Sequence, residues 1–326
     1  KGFAGTLSAG QVNALRHDPN VAYVEPDAPA QLFTTQLFPV WGLDRIDQRN
    51  LPLNSQFTYT SNGTGVTIYV LDTGVRKTHR QFAGRADYVE NGAKGDFVGD
   101  GYGSAEDCHG HGTHVSAIAA GYGYGVAKNA TLRVGRVVDC GGYGTASMAL
   151  SGMEWIISNG VKPAVVNMSL GYGDVQSVRD MAERLYVAGY VVVAAAGNGN
   201  FAGTPQDACS QSPAGAKDAL TVGSTTSSDA ESSFSNYGGC VDVLAPGSSI
   251  RSAWIGSDTA SNVISGTSMA APHAAGVAAQ YLALNPASTP LTVMSKIKST
   301  ATVGVITLHS ASVSGGTANR LLFTAN

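Results

Sequence analysis

At 326 residues the chain is longer than one average domain, although α/β enzymes of this length are often one large domain with a small appendage. Charged residues make up only 13% of it, against roughly 25% in typical globular chains, while 41 glycines point to close helix–sheet packing and many special turns. A net charge of −3 with no basic run excludes the electrostatic footprint of a nucleic-acid binder. No uncharged run approaches the roughly 18 residues of a membrane span.

The chain does not open on methionine and shows no signal peptide. It is therefore expected to start after a processing step or at a cloning boundary. Four cysteines, Cys108, Cys140, Cys209 and Cys240, lack the C-x-x-C spacing of metal or redox sites. That pattern fits two disulfides in a secreted protein, against four free thiols in a cytosolic one. Three pairings are possible. The sequence-local one, Cys108–Cys140 with Cys209–Cys240, would close two loops, each worth roughly 3–4 kcal/mol in the chain-entropy model.

Residues 1–31 read as a separate piece. Gly2 to Gly5 suggests a strand, Ser8-Ala9-Gly10-Gln11 has the form of a capping box, and Val21 to Val24 suggests a second strand stopped by Pro26. So few residues cannot build a core of their own. Pro26, Pro29 and the polar residues to about Gln36 read as a cleavable linker. The division expected is a small α+β fragment with its linker over residues 1–35 and a main domain over residues 36–326.

The main domain alternates strand and helix patterns. Strands are expected at Val66 to Leu71, Thr131 to Val138, Ala164 to Met168 and Tyr190 to Ala196. Helices are expected from His111 to Ala120, Thr145 to Ser158 and Val175 to Ala188. Nearly continuous apolar strands alternating with helices predict a mostly parallel, doubly wound sheet covered on both faces, an α/β fold of three layers. In such sheets the active site lies beyond the carboxyl ends of the strands. An alanine-rich buried helix opens around Ser268, with Pro272 expected in its first turn.

Four residues fall at strand or helix ends: Asp72, His111, Asn198 and Ser268. In isolation each has a plain reading: an Asx-turn, a histidine beside glycine, a turn between glycines, an N-cap serine. Together, in the order Asp…His…Ser, they match one of the known triad orders. Ser268 is the candidate nucleophile, His111 the base and Asp72 its orienter. The Asn198 amide and the Ser268 N–H are candidate oxyanion donors. His109 and His114 compete for the role of His111. Ser268 lacks the G-x-S-x-G elbow of lipases, and Gly121-Tyr122-Gly123-Tyr124-Gly125 follows a helix rather than a strand, which argues against a nucleotide site.

Val70-Leu71-Asp72-Thr73-Gly74-Val75, His111-Gly112-Thr113-His114-Val115, Ser169-Leu170-Gly171, Ala195-Ala196-Gly197-Asn198 and Gly266-Thr267-Ser268-Met269-Ala270 resemble the signature segments of the subtilisin-like serine proteases. Trp41 to Gln48 and Ser232 to Asn236 resemble their proteinase K-like branch. The resemblance selects His111 as the catalytic histidine. It implies a substrate strand held between Ser169-Leu170-Gly171 and Gly142-Tyr143-Gly144, with Ala196 and Gly197 beside the site. The uncharged walls suggest an apolar or aromatic preference before the scissile bond.

Residues 1–31 resemble the end of this family's inhibitory propeptide, implying a self-processing zymogen cut between about Gln31 and Gln36, with the bond before Gln36 favoured. The resemblance further implies structural Ca²⁺ at the Lys217 and Ala219 carbonyls with Asp242, and a second site at Asp44, Asp47 and Gln48. Asn54 stands there where a carboxylate is more usual. The chain is thus expected to be a secreted, monomeric endopeptidase acting on polypeptides, without nucleic-acid or membrane partners. The alternative is a latent or non-catalytic relative held by its propeptide. Tyr143 and Tyr172 stand where small residues are commoner and would narrow the cleft. Asn62 and Asn129 are glycosylation sequons, and Asn167 is one only formally, in a strand expected to be buried.

Overall fold

The computed structural model describes residues 2–25, 34–200 and 202–324. It divides into two compact units, Lys1–Phe33 and Thr34–Asn326. In the smaller unit, helix α1 (Ala9–Arg16) forms behind the expected capping box: Ser8 Oγ accepts the Gln11 N–H at 3.4 Å, and Gln11 Oε1 accepts the Ser8 N–H at 2.8 Å. The strands expected at 2–5 and 21–24 do not form. A strand needs a neighbour for its N–H and C=O groups, and the described part of this unit offers none. No α1 residue is buried.

The larger unit begins with β1 (Thr34–Leu37), two residues ahead of the boundary expected at 36. Helix α2 (Trp41–Ile46) follows, then β2 (Gln56–Tyr59), which pairs antiparallel with β1 so that Thr34 faces Tyr59. The chain continues through β3 (Thr67–Asp72), β4 (Ala86–Tyr88), α3 (His111–Ala120), β5 (Thr131–Arg136), α4 (Ala146–Asn159), β6 (Ala164–Met168), α5 (Gln176–Val187) and β7 (Val191–Ala195). Next come β8 (Leu220–Thr225), β9 (Val241–Pro246), a hairpin of β10 (Ile250–Ala253) and β11 (Ser261–Ile264), α6 (Thr267–Leu284), α7 (Pro290–Thr300), β12 (Thr302–Val303), α8 (Ser310–Ser314) and β13 (Arg320–Leu321).

Nine strands form one sheet in the order β12-β13-β9-β8-β7-β6-β3-β5-β4. Every pairing in it is parallel except β12 with β13. The sheet is buried on both faces, as the apolar strand runs require. Alternation with period two sorts the side chains: Ile68, Val70, Val165 and Val193 enter the core beneath α3 and α6, whereas Tyr69, Leu71, Val166 and Val192 enter the core beneath α4 and α5. Helix α6 is buried nearly all round because its interface is alanine. At Gly276 an added Cβ would lie 2.5 Å from Val126 Cβ and 3.0 Å from the Ala119 carbonyl, so only glycine allows α6 to sit this close to α3.

Both sequence-local disulfides form, Cys108–Cys140 and Cys209–Cys240. Asn167 is fully buried, so its sequon is unusable, whereas Asn129 is exposed. Among the described residues, no helix is long and apolar enough to cross a membrane.

Candidate active site

Asp72 ends a strand flanked by β5 and β6, so its side chain is delivered to the carboxyl edge near the middle of the sheet. Its carboxylate is almost fully buried. Oδ1 accepts the Thr73 N–H at 2.7 Å and lies 2.7 Å from His111 Nδ1. A carboxylate only accepts, so Nδ1 carries the proton and Nε2 holds the lone pair. Burial pushes the His111 imidazole down, but the carboxylate of Asp72, with Asp107 behind it, outweighs that and holds it above its ordinary value.

His111 is the first residue of α3. Asp107, which the sequence reading passed over, organises that helix end. Its carboxylate accepts the N–H groups of His109, Gly110 and Thr113 and the hydroxyls of Thr73 and Thr113. It satisfies orphan helix donors and places negative charge at the positive end of the helix dipole. Gly112 explains the glycine between His111 and Thr113: an added Cβ would lie 2.2 Å from the Gly74 carbonyl oxygen.

The competing histidines are set apart by their surroundings. His114 is fully buried, its Nε2–H donates to the Ile250 carbonyl at 3.1 Å, and burial pushes its imidazole down to about 4. His273 is equally buried, bonded to the Met269 carbonyl at 2.8 Å, and also pushed down to about 4. Both stay neutral at neutral pH and face carbonyls. His109 lines the cleft beside His111, with ring centroids 6.4 Å apart.

Ser268 is the second residue of α6, where a backbone N–H has no intrahelical partner. Its hydroxyl donates to the Ser169 carbonyl at 3.0 Å, and the Ser169 hydroxyl donates back to the Ser268 carbonyl at 2.9 Å. Asn167 donates to Ser169 Oγ at 2.9 Å and holds it in place. Pro272 lies in the interior of α6, not in its first turn as expected. Its missing N–H would have bonded the Ser268 carbonyl, and Ser169 supplies the replacement. The Ser268 hydroxyl, a free rotor, is thus turned toward Ser169, and no hydrogen bond joins it to His111 in this structure.

Asn198 follows β7. Its Oδ1 accepts both the N–H of Thr267 at 2.8 Å and the Thr267 hydroxyl at 2.9 Å. That fixes the amide, so Nδ2 is the end left to donate. Nδ2 lies 3.4 Å, and the Ser268 N lies 3.6 Å, from the point where a Cβ on Gly266 would stand. Two donors therefore flank one small space at the mouth of α6. Ala196 and Gly197, like Asn198 and Ser268, are not among the residues that line the cleft of Asp72 and His111. The Ala196 carbonyl is taken by Asn236 Nδ2 at 2.9 Å, and the Gly197 N–H donates to Thr267 Oγ1 at 3.0 Å. Both brace the Asn198 turn, with Asn236 as a hub that the sequence reading did not single out for this role.

A cleft of about 560 Å³ joins Asp72 and His111 to Gly142, Tyr143, Gly144, Ser169, Leu170 and Gly171, so both expected walls face one another. The metal candidates separate. Asp242 Oδ1 is held by the Lys298 ammonium at 3.1 Å and Oδ2 accepts the Thr221 N–H at 3.1 Å, so a cation at Lys217, Ala219 and Asp242 would have to displace a lysine. At the second candidate, Asp47 Oδ1 and Gln48 Oε1 are buried without a partner. Asp44 holds the N–H groups of Asn54 and Ser55. Burial, with Asp44 adding repulsion, raises the Asp47 carboxyl to about 6. Orphaned buried oxygens beside a second carboxylate suit a hard cation.

An acid–imidazole pair in a cleft at the carboxyl edge of a doubly wound sheet supplies the base and its orienter, two of the three groups of a serine peptidase. Comparison with known proteins agrees. The subtilase family model matches residues 63–320, and the peptidase inhibitor I9 model matches residues 1–33. An extracellular serine proteinase of Thermus sp. (strain Rt41A) is 48% identical over 94% of this chain and 72% of its own length. Alkaline serine exoprotease A of Vibrio alginolyticus is 45% identical over 99% of this chain, which spans 58% of that protein. The crystal structure of a cold-adapted subtilisin-like serine proteinase superposes with a TM-score of 0.81 at 46% identity, covering 89% of this chain and 99% of that one. The chain belongs to the subtilase family of serine proteases, with an inhibitor-family segment at its start.

Proposed function

We propose that the protein is a secreted endopeptidase that cleaves peptide bonds through an acyl-enzyme on Ser268. The observation that carries the reading is the Asp72–His111 bond at the edge of a cleft whose opposite wall, Ser169, holds Ser268. His111 Nε2 takes the proton of the Ser268 hydroxyl as it attacks and returns it to the leaving amine. Asp72 keeps the required tautomer and stabilises the imidazolium. Asn198 Nδ2 and the Ser268 N–H receive the oxyanion. Leu170, Val138 and Tyr143 line a cleft in which, among the described residues, Asp72 is the sole carboxylate, which supports an apolar or aromatic residue before the scissile bond. The two disulfides support an oxidising, extracellular setting.

A serine-directed phosphonofluoridate is expected to modify Ser268 and no other residue, as read by peptide mass spectrometry. Labelling needs neutral His111, so its rate should rise with pH through a limb lying above the ordinary histidine value. An adduct elsewhere, or a rate independent of pH, would detach these residues from the chemistry.

The inhibitor-family segment supports a zymogen that processes itself. The pairing of Thr34 and Thr35 within β1 favours a cut at the start of the larger unit over the bond before Gln36. Calcium, where bound, is best held by Asp44, Asp47 and Gln48, and would supply structural stability by neutralising two neighbouring carboxylates. The midpoint of thermal unfolding should therefore rise with free calcium and become insensitive to it in Asp47→Asn. Sensitivity kept in Asp47→Asn but lost in Asp242→Asn would return the ion to the first site. Polypeptide substrates and its own inhibitor segment are the partners proposed for this monomeric enzyme.

A further inference from the structure

We propose that Tyr172 is a specificity-determining residue: it ties the two walls of the cleft together and closes it to bulky side chains at the fourth residue before the scissile bond. The inference rests on the peptidase reading of the cleft. One wall, Ser169 to Tyr172, leaves the carboxyl end of β6; the other, Gly141 to Gly144, runs into the start of α4 at Thr145. The Tyr172 hydroxyl crosses between them and donates to the Thr145 carbonyl at 3.1 Å. Thr145 is the N-cap of α4, and its carbonyl already accepts the Ala149 N–H at 3.3 Å, leaving its second lone pair for the tyrosine.

The strut is fixed at both ends. The Tyr172 N–H donates to the Ser212 carbonyl at 2.7 Å, and the Ser212 N–H donates to the Tyr172 carbonyl at 3.0 Å. Its half-buried ring, like the side chains of Leu170, Val138 and Met148, packs against the core under α4 and α5. Burial pushes the phenol up to about 12, so the hydroxyl remains a neutral donor across the working range.

Register decides which substrate residue meets it. The Ser268 hydroxyl rests on the Ser169 carbonyl, so the residue before the scissile bond lies beside Ser169. A substrate parallel to this wall would carry its acyl half alongside Met168 and Asn167. Both are buried in β6, which is already paired with β3 and β7. The acyl half must therefore run antiparallel past Leu170, Gly171 and Tyr172. Counting one residue for one, the fourth residue before the bond stands opposite Tyr172, and opposed residues of an antiparallel pair send their side chains to the same face. The phenol ring and its tie to Thr145 occupy that space.

The test uses mature enzyme and two peptide series, one varying only the fourth residue before the bond between Ala and Phe, the other varying only the residue at the bond. Tyr172→Gly, between Gly171 and Gly173, should raise the Phe/Ala ratio of kcat/KM in the first series about tenfold or more, the scale on which a pocket discriminates one apolar side chain from another. Tyr172→Phe, which keeps the ring and loses the tie, should raise it by a smaller factor, and it carries the test should the glycine variant not fold. The ratio in the second series should not move. A first-series ratio unchanged in Tyr172→Phe and Tyr172→Gly, or both series shifting together, would overturn the proposal. A wild-type enzyme that hydrolyses none of the peptides would overturn the peptidase reading and this inference with it.

Discussion

Ser268→Ala is expected to abolish peptide hydrolysis and to leave the chain unprocessed, with its inhibitor segment attached. The loss in kcat should be on the order of 10⁶-fold, a figure taken from subtilisin itself. Any residual rate would come from the Asn198 amide and the Ser268 N–H, which the substitution leaves in place. The fold should persist. The side chain removed makes one hydrogen bond, to the Ser169 carbonyl, and the reciprocal bond from Ser169 Oγ to the Ser268 carbonyl is retained. Losing one such bond costs about 1 kcal/mol. An unfolding midpoint close to wild type would thus separate lost chemistry from lost structure. Mass spectrometry reads maturation directly, because the uncut precursor keeps residues 1–33. A Ser268→Ala chain that still trims itself or turns over peptide would refute the assignment of the nucleophile.

What the sequence made legible follows from where the signal resides. β3, β6 and β7 were readable because a strand covered on both faces must be apolar throughout, and each matches its expected span to within a residue or two. α5 was readable from its amphipathic period, and α1 from its capping box. These are local patterns. The failures are all cases in which a distant partner decides. Gly2 to Gly5 and Val21 to Val24 carry strand composition but have no neighbour to pair with in the described part of their unit. Pro272 marked a helix start by rule, yet sits inside α6 because Ser169 satisfies the Ser268 carbonyl it orphans, across a separation of ninety-nine residues. Asp107 and Asn236 look like ordinary polar residues beside turns. Only the fold shows one carboxylate gathering the entrance of α3 and one amide bracing the Asn198 turn. The Lys298 ammonium on Asp242 is equally non-local, since fifty-six residues separate them. The Asp72–His111 pair and the two cleft walls are the part of the candidate site that resemblance pointed to and the structure brings together, whereas the supports beneath them are visible in the structure alone.

Those supports make Asn198→Ala the sharper probe of the site. The substitution should lower kcat by about 10²–10³-fold, or about 3–4 kcal/mol of transition-state stabilisation, with little change in KM; the magnitude is that of subtilisin's own oxyanion asparagine. The asymmetry follows from geometry. Oδ1 is committed to the N–H and hydroxyl of Thr267, so Nδ2 is held toward the space it shares with the Ser268 N–H. A donor fixed in advance strengthens most when charge develops, so its loss is felt in the transition state more than in substrate binding. The same commitment creates a confounding route, because alanine also releases Thr267 at the start of α6. Thr267→Ala separates the two: it removes the hydroxyl that Asn198 accepts but leaves both oxyanion donors in the chain. If Asn198 acts by donating to the oxyanion, Asn198→Ala must lose far more kcat than Thr267→Ala, at similar unfolding midpoints. Equal losses in the two variants would reduce Asn198 to a brace for the helix, and an unchanged kcat would remove it from the oxyanion hole altogether.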